Sequence, residues 1–324
     1  MVGCRSWNQA SDEAREALST TPVLIVHGGA GPRRAEDDER SDEELRRELA
    51  RAVDAGWEQI AAGAEAACVA AVCVLEDRPL FNAGTGSALA ADGAVWCDAT
   101  LACADGRAGA VAAIQGIRHP ILAAQALAHA AGAPLLWAGS SADLARLHDL
   151  ELRDAERMVT DRQRRRLAAH RARHAEHERA GTVGAVCLDA TGGLAAATST
   201  GGFCGKPPAR VGDSAIAGAG TWADARTCAV SATGDGEAFL RVLFAHEIHA
   251  RMLYRGEDLA TAAGAALVAV RAAGGLGGAI CVDARGAIAM PVSSDVMYRA
   301  WRRAGEATYT ALGGSEAGSR APRG

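Results

Sequence analysis

The sequence predicts an α+β chain. Compact apolar runs of strand length end in glycine clusters, other segments carry apolar residues at helical spacing, and one long polar stretch separates two strand-forming halves. With 324 residues, 49% of them hydrophobic, the chain can bury a sizeable core.

The elements follow in order. Residues 22–26 (PVLIV) form an apolar run that stops at His27-Gly28-Gly29-Ala30-Gly31, the pattern of a buried strand entering a tight glycine turn. Ser41 with Glu44 makes a capping box ahead of Leu45, Leu49, Val53 and Trp57, which recur at helical spacing. A second helix over 65–75 is nearly all small and apolar, so it should be buried. Residues 81–86 (FNAGTG) break helicity, Ala91-Asp92-Gly93 reads as a hairpin turn between two strands, and 109–114 is strand-like. Helices are expected over 119–132 and 140–150. Residues 161–180 (DRQRRRLAAHRARHAEHERA) then hold almost nothing that could be buried, and read either as an exposed helix or as a mobile linker. Strand-like sequence returns at 182–188, passes a Thr191-Gly192-Gly193 turn into 194–200, and recurs at 227–232. Helices over 237–254 and 256–272, a hairpin of 279–283 with 287–291, and a loose tail over 313–324 complete the reading, without internal repeats.

Composition narrows the function. The formal net charge is -5 and the arginines are interspersed with acids, which argues against nucleic acid as a partner. Nine cysteines, an odd number with no C-x-x-C pair, point to a reduced compartment and away from zinc. The first twenty residues hold no apolar run of signal-peptide length, and no stretch of about 18 apolar residues occurs, so the expectation is a cytoplasmic protein without a membrane segment. Lys206 is the only lysine, a bias read as compositional.

Thr182 carries the chemistry. A Gly-Thr pair opening a strand is ordinary, because β-branched threonine suits the pleat. Here it is followed within one stretch by Thr198-Ser199-Thr200-Gly201-Gly202, Arg210-Val211-Gly212-Asp213-Ser214, Gly218-Ala219-Gly220 and Thr233-Gly234-Asp235-Gly236-Glu237. Together with His27-Gly28-Gly29-Ala30-Gly31, Phe81-Asn82-Ala83-Gly84, Asp98-Ala99 and Met297-Tyr298-Arg299, these motifs resemble the plant-type asparaginase and isoaspartyl peptidase family of N-terminal nucleophile hydrolases.

The resemblance implies a four-layer αββα sandwich made as a precursor that cuts itself between Gly181 and Thr182. Residues 1–181, with a solvated linker over about 151–181, become one subunit and 182–324 the other; the pair forms one domain and assembles as a dimer of such pairs. The chemistry explains the cut. A hydroxyl is a weak nucleophile without a base nearby, and a freed α-amino group, with a reference pKa of about 7.7–8, supplies that base on the same residue.

By the same resemblance, the Thr233 hydroxyl and Gly234 N–H are oxyanion donors, Thr200 orients Thr182, and Asn82 lends an amide near the nucleophile. Asn in a glycine-rich turn also simply tolerates left-handed geometry. Arg210 and Asp213, three apart with Gly212 between them for a tight bend, can face one cavity and read a zwitterion, with Gly234 and Gly236 beside them. Their plain alternative is a mutual surface ion pair worth roughly 0–1 kcal/mol. The expected substrate is a small molecule or dipeptide with free α-amino and α-carboxylate groups, L-asparagine or a β-aspartyl dipeptide. No cofactor is expected for catalysis. Residues 75–85 resemble the family's sodium loop, in which the carbonyls of Leu75, Glu76, Arg78, Phe81, Ala83 and Thr85 would hold a structural ion.

Other readings are weaker. Gly212-Asp213-Ser214 matches a serine-esterase nucleophile but lies far from the N-terminus and lacks a C-terminal Asp-x-x-His; there is no Gly-x-Ser-x-Gly elbow; and His246 and His249 are three apart, not four, and read as helix-surface residues. A precursor that never cleaves would leave a non-catalytic binding protein. The sequence departs from the family at Trp222 (commonly tyrosine), Ala209 (commonly glycine) and Cys204-Gly205 (commonly a polar pair).

Overall fold

The computed structural model describes residues 20–32, 40–132, 135–173 and 181–314. It is an α+β structure with two sheets.

The first strand, β1 (Val23–Gly31), is longer than expected. It runs through the His27-Gly-Gly-Ala-Gly segment, absorbing it as an irregularity between His27 and Gly29 in its pairing with a later strand. Helix α1 (Asp42–Glu58) starts where the Ser41 side chain accepts the Glu44 N–H, and buries Leu45, Leu49 and Val53. The small, apolar α2 (Ala64–Glu76) is buried as expected. The 91–93 turn is present, but only a single bridge, Leu89 to Val95, flanks it. The hairpin lies further on, between β2 (Cys97–Cys103) and β3 (Ala108–Ile114).

Next come α3 (Pro120–His129), a short β4 (Leu136–Trp137), α4 (Ser141–His148), α5 (Ala155–Met158) and α6 (Asp161–Arg173). The polar segment is therefore helical as far as Arg173, and 174–180 lie outside the described residues. It is also not wholly exposed. Gln163 and Leu167 are buried, the Gln163 side chain donates to the Gly86 carbonyl at 2.7 Å, and Arg162 donates to that of Pro79.

The second half supplies β5 (Val183–Leu188), β6 (Leu194–Thr200), β7 (Thr221–Ala223), β8 (Cys228–Gly234), α7 (Gly236–Val242), α8 (Phe244–Arg255), α9 (Leu259–Ala272), β9 (Gly277–Asp283), β10 (Ile288–Ala289), β11 (Val296–Arg303) and β12 (Tyr309–Gly313). One expected helix over 237–254 is two, broken at Leu243 with φ 48°. Gly313, expected in a loose tail, ends β12, while 315–324 lie outside the described residues.

The large sheet has the order β12-β11-β1-β5-β6-β2-β3-β4 and the small one β10-β9-β8-β7. Alternation along the strands sorts the core. Leu24 and Val26 of β1, with Ala185 and Cys187 of β5, pack with Leu49, Val53, Ala67 and Val72 of α1 and α2. Their neighbours Val23, Ile25, Val186 and Leu188 pack with Ala229, Ile280 and Val282 of the small sheet. The small sheet in turn packs Val230, Ala232 and Cys281 with Phe239, Phe244, Ala263 and Val270 of α7–α9.

Candidate active site

Peptide 181–182 lies where the two sheets meet. Extending the antiparallel register of β5 on β6, in which Val183 faces Ser199, sets Thr182 opposite Thr200. Their hydroxyls meet at 3.2 Å, Thr182 donating, and Thr200 Oγ1 also receives the Gly202 N–H at 3.0 Å. From the small sheet, Thr233 Oγ1 accepts the backbone N–H groups of Thr182 at 3.1 Å and of Ala30 at 3.0 Å. Its own proton stays available for a third partner. On the other side of the peptide, Asn82 Nδ2 donates to the Gly181 carbonyl at 2.5 Å and to that of Gly202 at 2.6 Å, while its Oδ1 accepts from Ala88 N. The close approach requires bare backbone. A Cβ on Gly29 would stand 2.7 Å from Gly181 Cα, and one on Gly184 would meet His27 Nε2 at 2.6 Å.

Beside this peptide opens a cleft of about 410 Å³, mouth included, lined by Thr182, Thr200, Gly202, Phe203, Arg210, Asp213, Gly234, Asp235, Gly236 and Glu237. Gly234 has φ 151°, and any side chain there would strike the Leu276 carbonyl. Arg210 and Asp213 face one cavity, but not as a mutual ion pair. Arg210 donates through Nε and NH2 to Glu237 Oε1 at 3.0 and 2.6 Å, and stacks 4.9 Å from the Phe203 ring. Asp213 is buried, and its Oδ2 has no hydrogen-bond partner among the described residues. Burial pushes its carboxyl up to about 7, with Arg210 pulling the other way.

The bend at this corner is not at Gly212, which is extended (φ -101°, ψ -175°), but at Ala209, with φ 62°. Gly212 and Gly236 serve clearance: a Cβ on Gly212 would lie 2.6 Å from an Arg210 nitrogen, and one on Gly236 would lie 2.7 Å from Asp213 Oδ1.

Ser214 is fully buried and does not line the cleft, and its Oγ has no hydrogen-bond partner among the described residues, which removes the esterase arrangement. His249 is no surface histidine. It is 3% exposed, bonded to Thr227 at 2.7 Å and packed with His246 against the departure residue Trp222.

Three further supports have no role assigned from the sequence. Asp98 is buried and accepts the Gly212 N–H at 2.9 Å and the Ala113 N–H at 2.8 Å, pinning the Arg210–Asp213 corner to β2 and β3. Lys206 is fully buried; burial depresses its ammonium while Asp98 sustains it, and it donates to the Trp96 carbonyl at 2.7 Å. Its being the sole lysine was the available signal, and composition masked it. Behind Thr182, His27 joins Ser231 (2.9 Å), Thr198 (2.7 Å from Ser231) and Thr221 in a buried chain across the two sheets. Burial lowers the His27 pKa to about 3, so this imidazole is neutral.

The 75–85 loop closes on itself. The carbonyls of Leu75, Glu76 and Arg78 accept the N–H groups of Arg78, Thr85 and Phe81, while those of Phe81, Ala83 and Thr85 receive no backbone donor among the described residues. Carbonyl oxygen is the donor type a hard cation takes, and three of the six are uncommitted.

The sequence profile of the family described as asparaginase matches residues 20–312. An isoaspartyl peptidase of Salmonella typhimurium is 39% identical over 90% of this chain and 98% of its own length, and one of Escherichia coli 38% over 90% and 95%. A plant-type L-asparaginase of Pyrobaculum calidifontis is 38% identical over 88% of this chain and 98% of its own.

Proposed function

The chain belongs to the asparaginase family that includes isoaspartyl peptidases and plant-type L-asparaginases, and we propose that its reaction runs through Thr182 after self-cleavage before that residue. It is an amidohydrolase of aspartyl substrates.

The observation that carries the proposal is the convergence on one peptide. The Thr182 hydroxyl is oriented by Thr200, the peptide nitrogen rests on Thr233, and the peptide oxygen receives the Asn82 amide. In the precursor, Thr182 Oγ1 attacks the Gly181 carbonyl carbon, Asn82 stabilises the developing oxyanion, the hydroxyl proton passes to the departing nitrogen as the C–N bond breaks to give an ester and a free amine, and water hydrolyses the ester. In the mature protein the α-amine takes the hydroxyl proton. Oγ1 then attacks the side-chain amide carbonyl, with Thr233 and Gly234 N–H as oxyanion donors. The amine departs protonated, and water releases aspartate.

Arg210 pairs with the substrate α-carboxylate, shared with or displacing Glu237, and Asp213 with its ammonium, with Gly234 and Gly236 flanking. The two sheets with their helices form the αββα sandwich of N-terminal nucleophile hydrolases, assembled as a dimer of cleaved pairs. A sodium ion on the 75–85 carbonyls would be structural, holding the loop that carries Asn82. No disulfide joins the eight described cysteines, which supports a reducing, cytoplasmic setting, and no described helix is long and apolar enough to cross a membrane.

Intact mass spectrometry under denaturing conditions tests the proposal. We expect two chains summing to the precursor, the second starting at Thr182, and for Thr182→Ala a single inactive chain. A processed, active Thr182→Ala protein overturns it.

A further inference from the structure

We propose that Cys73, Glu76 and His119 form a binding site for a zinc-like divalent cation, separate from the cleft. Cys73 and Glu76 are three apart in the last turn of α2 and so share one face. His119 comes from the residue before α3, 43 positions on from Glu76 by sequence separation, and makes no side-chain capping bond to its own helix. One ligand atom of each lies within 4.8 Å of the other two. Sulfur, imidazole nitrogen and carboxylate oxygen are the donors zinc takes, and around a tetrahedral zinc they stand about 3.4–3.8 Å apart. Closing the set needs an inward shift of about 1 Å, within the reach of one side-chain adjustment.

The surroundings are built in the way such sites are. Glu76 is fully buried, with Oε1 held by the Ile121 N–H at 3.0 Å and Oε2 turned to His119 Nδ1 at 3.2 Å. The other ring nitrogen, Nε2, lies 3.6 Å from Asp77 Oδ2, and Asp77 is itself fixed by Arg118 at 2.9 Å. A carboxylate behind the distal nitrogen orients a ligating histidine and aims Nδ1 at the metal. Capping of α3 by Glu76 accounts for the carboxylate alone. It does not account for the Cys73 thiol, which has no hydrogen bond among the described residues and is the one described cysteine that is not buried. The partly open Cys73 and the 11% exposure of the His119 side chain leave a path for the ion and for a fourth ligand from solvent. The set has no C-x-x-C spacing, because its third ligand comes from the residue ahead of another helix. A bound ion would tie the end of α2 to the start of α3, just ahead of the loop that carries Asn82.

The test uses the full-length, purified protein. After equilibration with zinc chloride and desalting, elemental analysis should find one zinc per 324-residue protein in the wild type and none in Cys73→Ala or His119→Gln. Cobalt(II) should give a thiolate-to-cobalt charge-transfer band that vanishes in the near-isosteric Cys73→Ser, which keeps the test valid should the alanine variant fail to fold. Zinc should also raise the melting temperature of wild type and not of Cys73→Ser. No zinc on the wild type, or a cobalt–thiolate band that survives Cys73→Ser, overturns the proposal.

Discussion

Asp213 is the residue on which pH acts most directly. Its carboxyl is pushed up to about 7 by burial, and Asp98 and Glu237 add to the push while Arg210 opposes it. A carboxyl whose folded pKa exceeds its unfolded value of about 3.9 contributes stability that is fully present below that value and lost as pH rises toward 7. The Asp213 contribution therefore declines between about pH 4 and 7, while His27, held neutral by burial, contributes the opposite slope, and Asp213→Asn should make the net slope over that range more positive in denaturant titrations. Substrate binding needs the opposite form, because only the carboxylate attracts an ammonium. The KM for a β-aspartyl dipeptide should fall as pH rises through 7, and a KM that is flat over this range would remove Asp213 from the ammonium site. Asn82 makes a separate prediction. Loss of one oxyanion donor costs about 10²–10³ in rate, so Asn82→Ala should slow self-cleavage by that order in a gel time course, and unchanged cleavage would reduce Asn82 to a loop residue. Asn82, Thr200 and Thr233 are expected at the site from the resemblance that their motifs carry, and the structure brings them to peptide 181–182. The roles of Asp98, Lys206 and Ser231 were not legible in the sequence, since each acts through burial and a partner distant in sequence.

At the scale of elements, the corner that carries Arg210 turns at Ala209, in the left-handed region at φ 62°. An L-residue there costs roughly 1–2 kcal/mol, against about 0.5–1 kcal/mol for the extra chain entropy of glycine, so Ala209→Gly should stabilise the fold by roughly 0.5–1 kcal/mol. A lower denaturation midpoint in this variant would show that the Ala209 methyl contributes more than its backbone costs. Strands and helices with clean periodicity, such as β6 and α1, were readable from the sequence. β11 was not, because VMYRAWRR mixes charge into the strand, where the buried Arg299 donates to the Gly313 carbonyl of β12. β1 extends past its apolar run because the glycines that suggest a turn instead give the clearance that lets Gly29 approach Gly181. The helix expected over 237–254 divides at the left-handed Leu243, which has no sequence signature; the residue is 48% exposed.

For the whole molecule, the strand order decides what a cut at 181–182 can do. In the large sheet, β1 from the first part is flanked on both sides by strands of the second, β11 and β5, while β2 pairs with β6 across the same divide. The small sheet draws all four strands from the second part, but its packing residues Ala229 and Ile280 meet Val23 and Ile25 of the first. Neither part holds a complete core, so hydrolysis of one peptide bond should leave the two chains together and release neither. Unfolding then changes molecularity. The cleaved protein must separate into twice as many chains as the uncut one, so its apparent stability should rise more steeply with protein concentration than that of uncut Thr182→Ala. Guanidinium titrations of both forms over a hundredfold range of concentration would reveal this. A midpoint that moves no more for the cleaved protein than for uncut Thr182→Ala would mean that one part folds without the other, against the interleaving of β1 between β11 and β5.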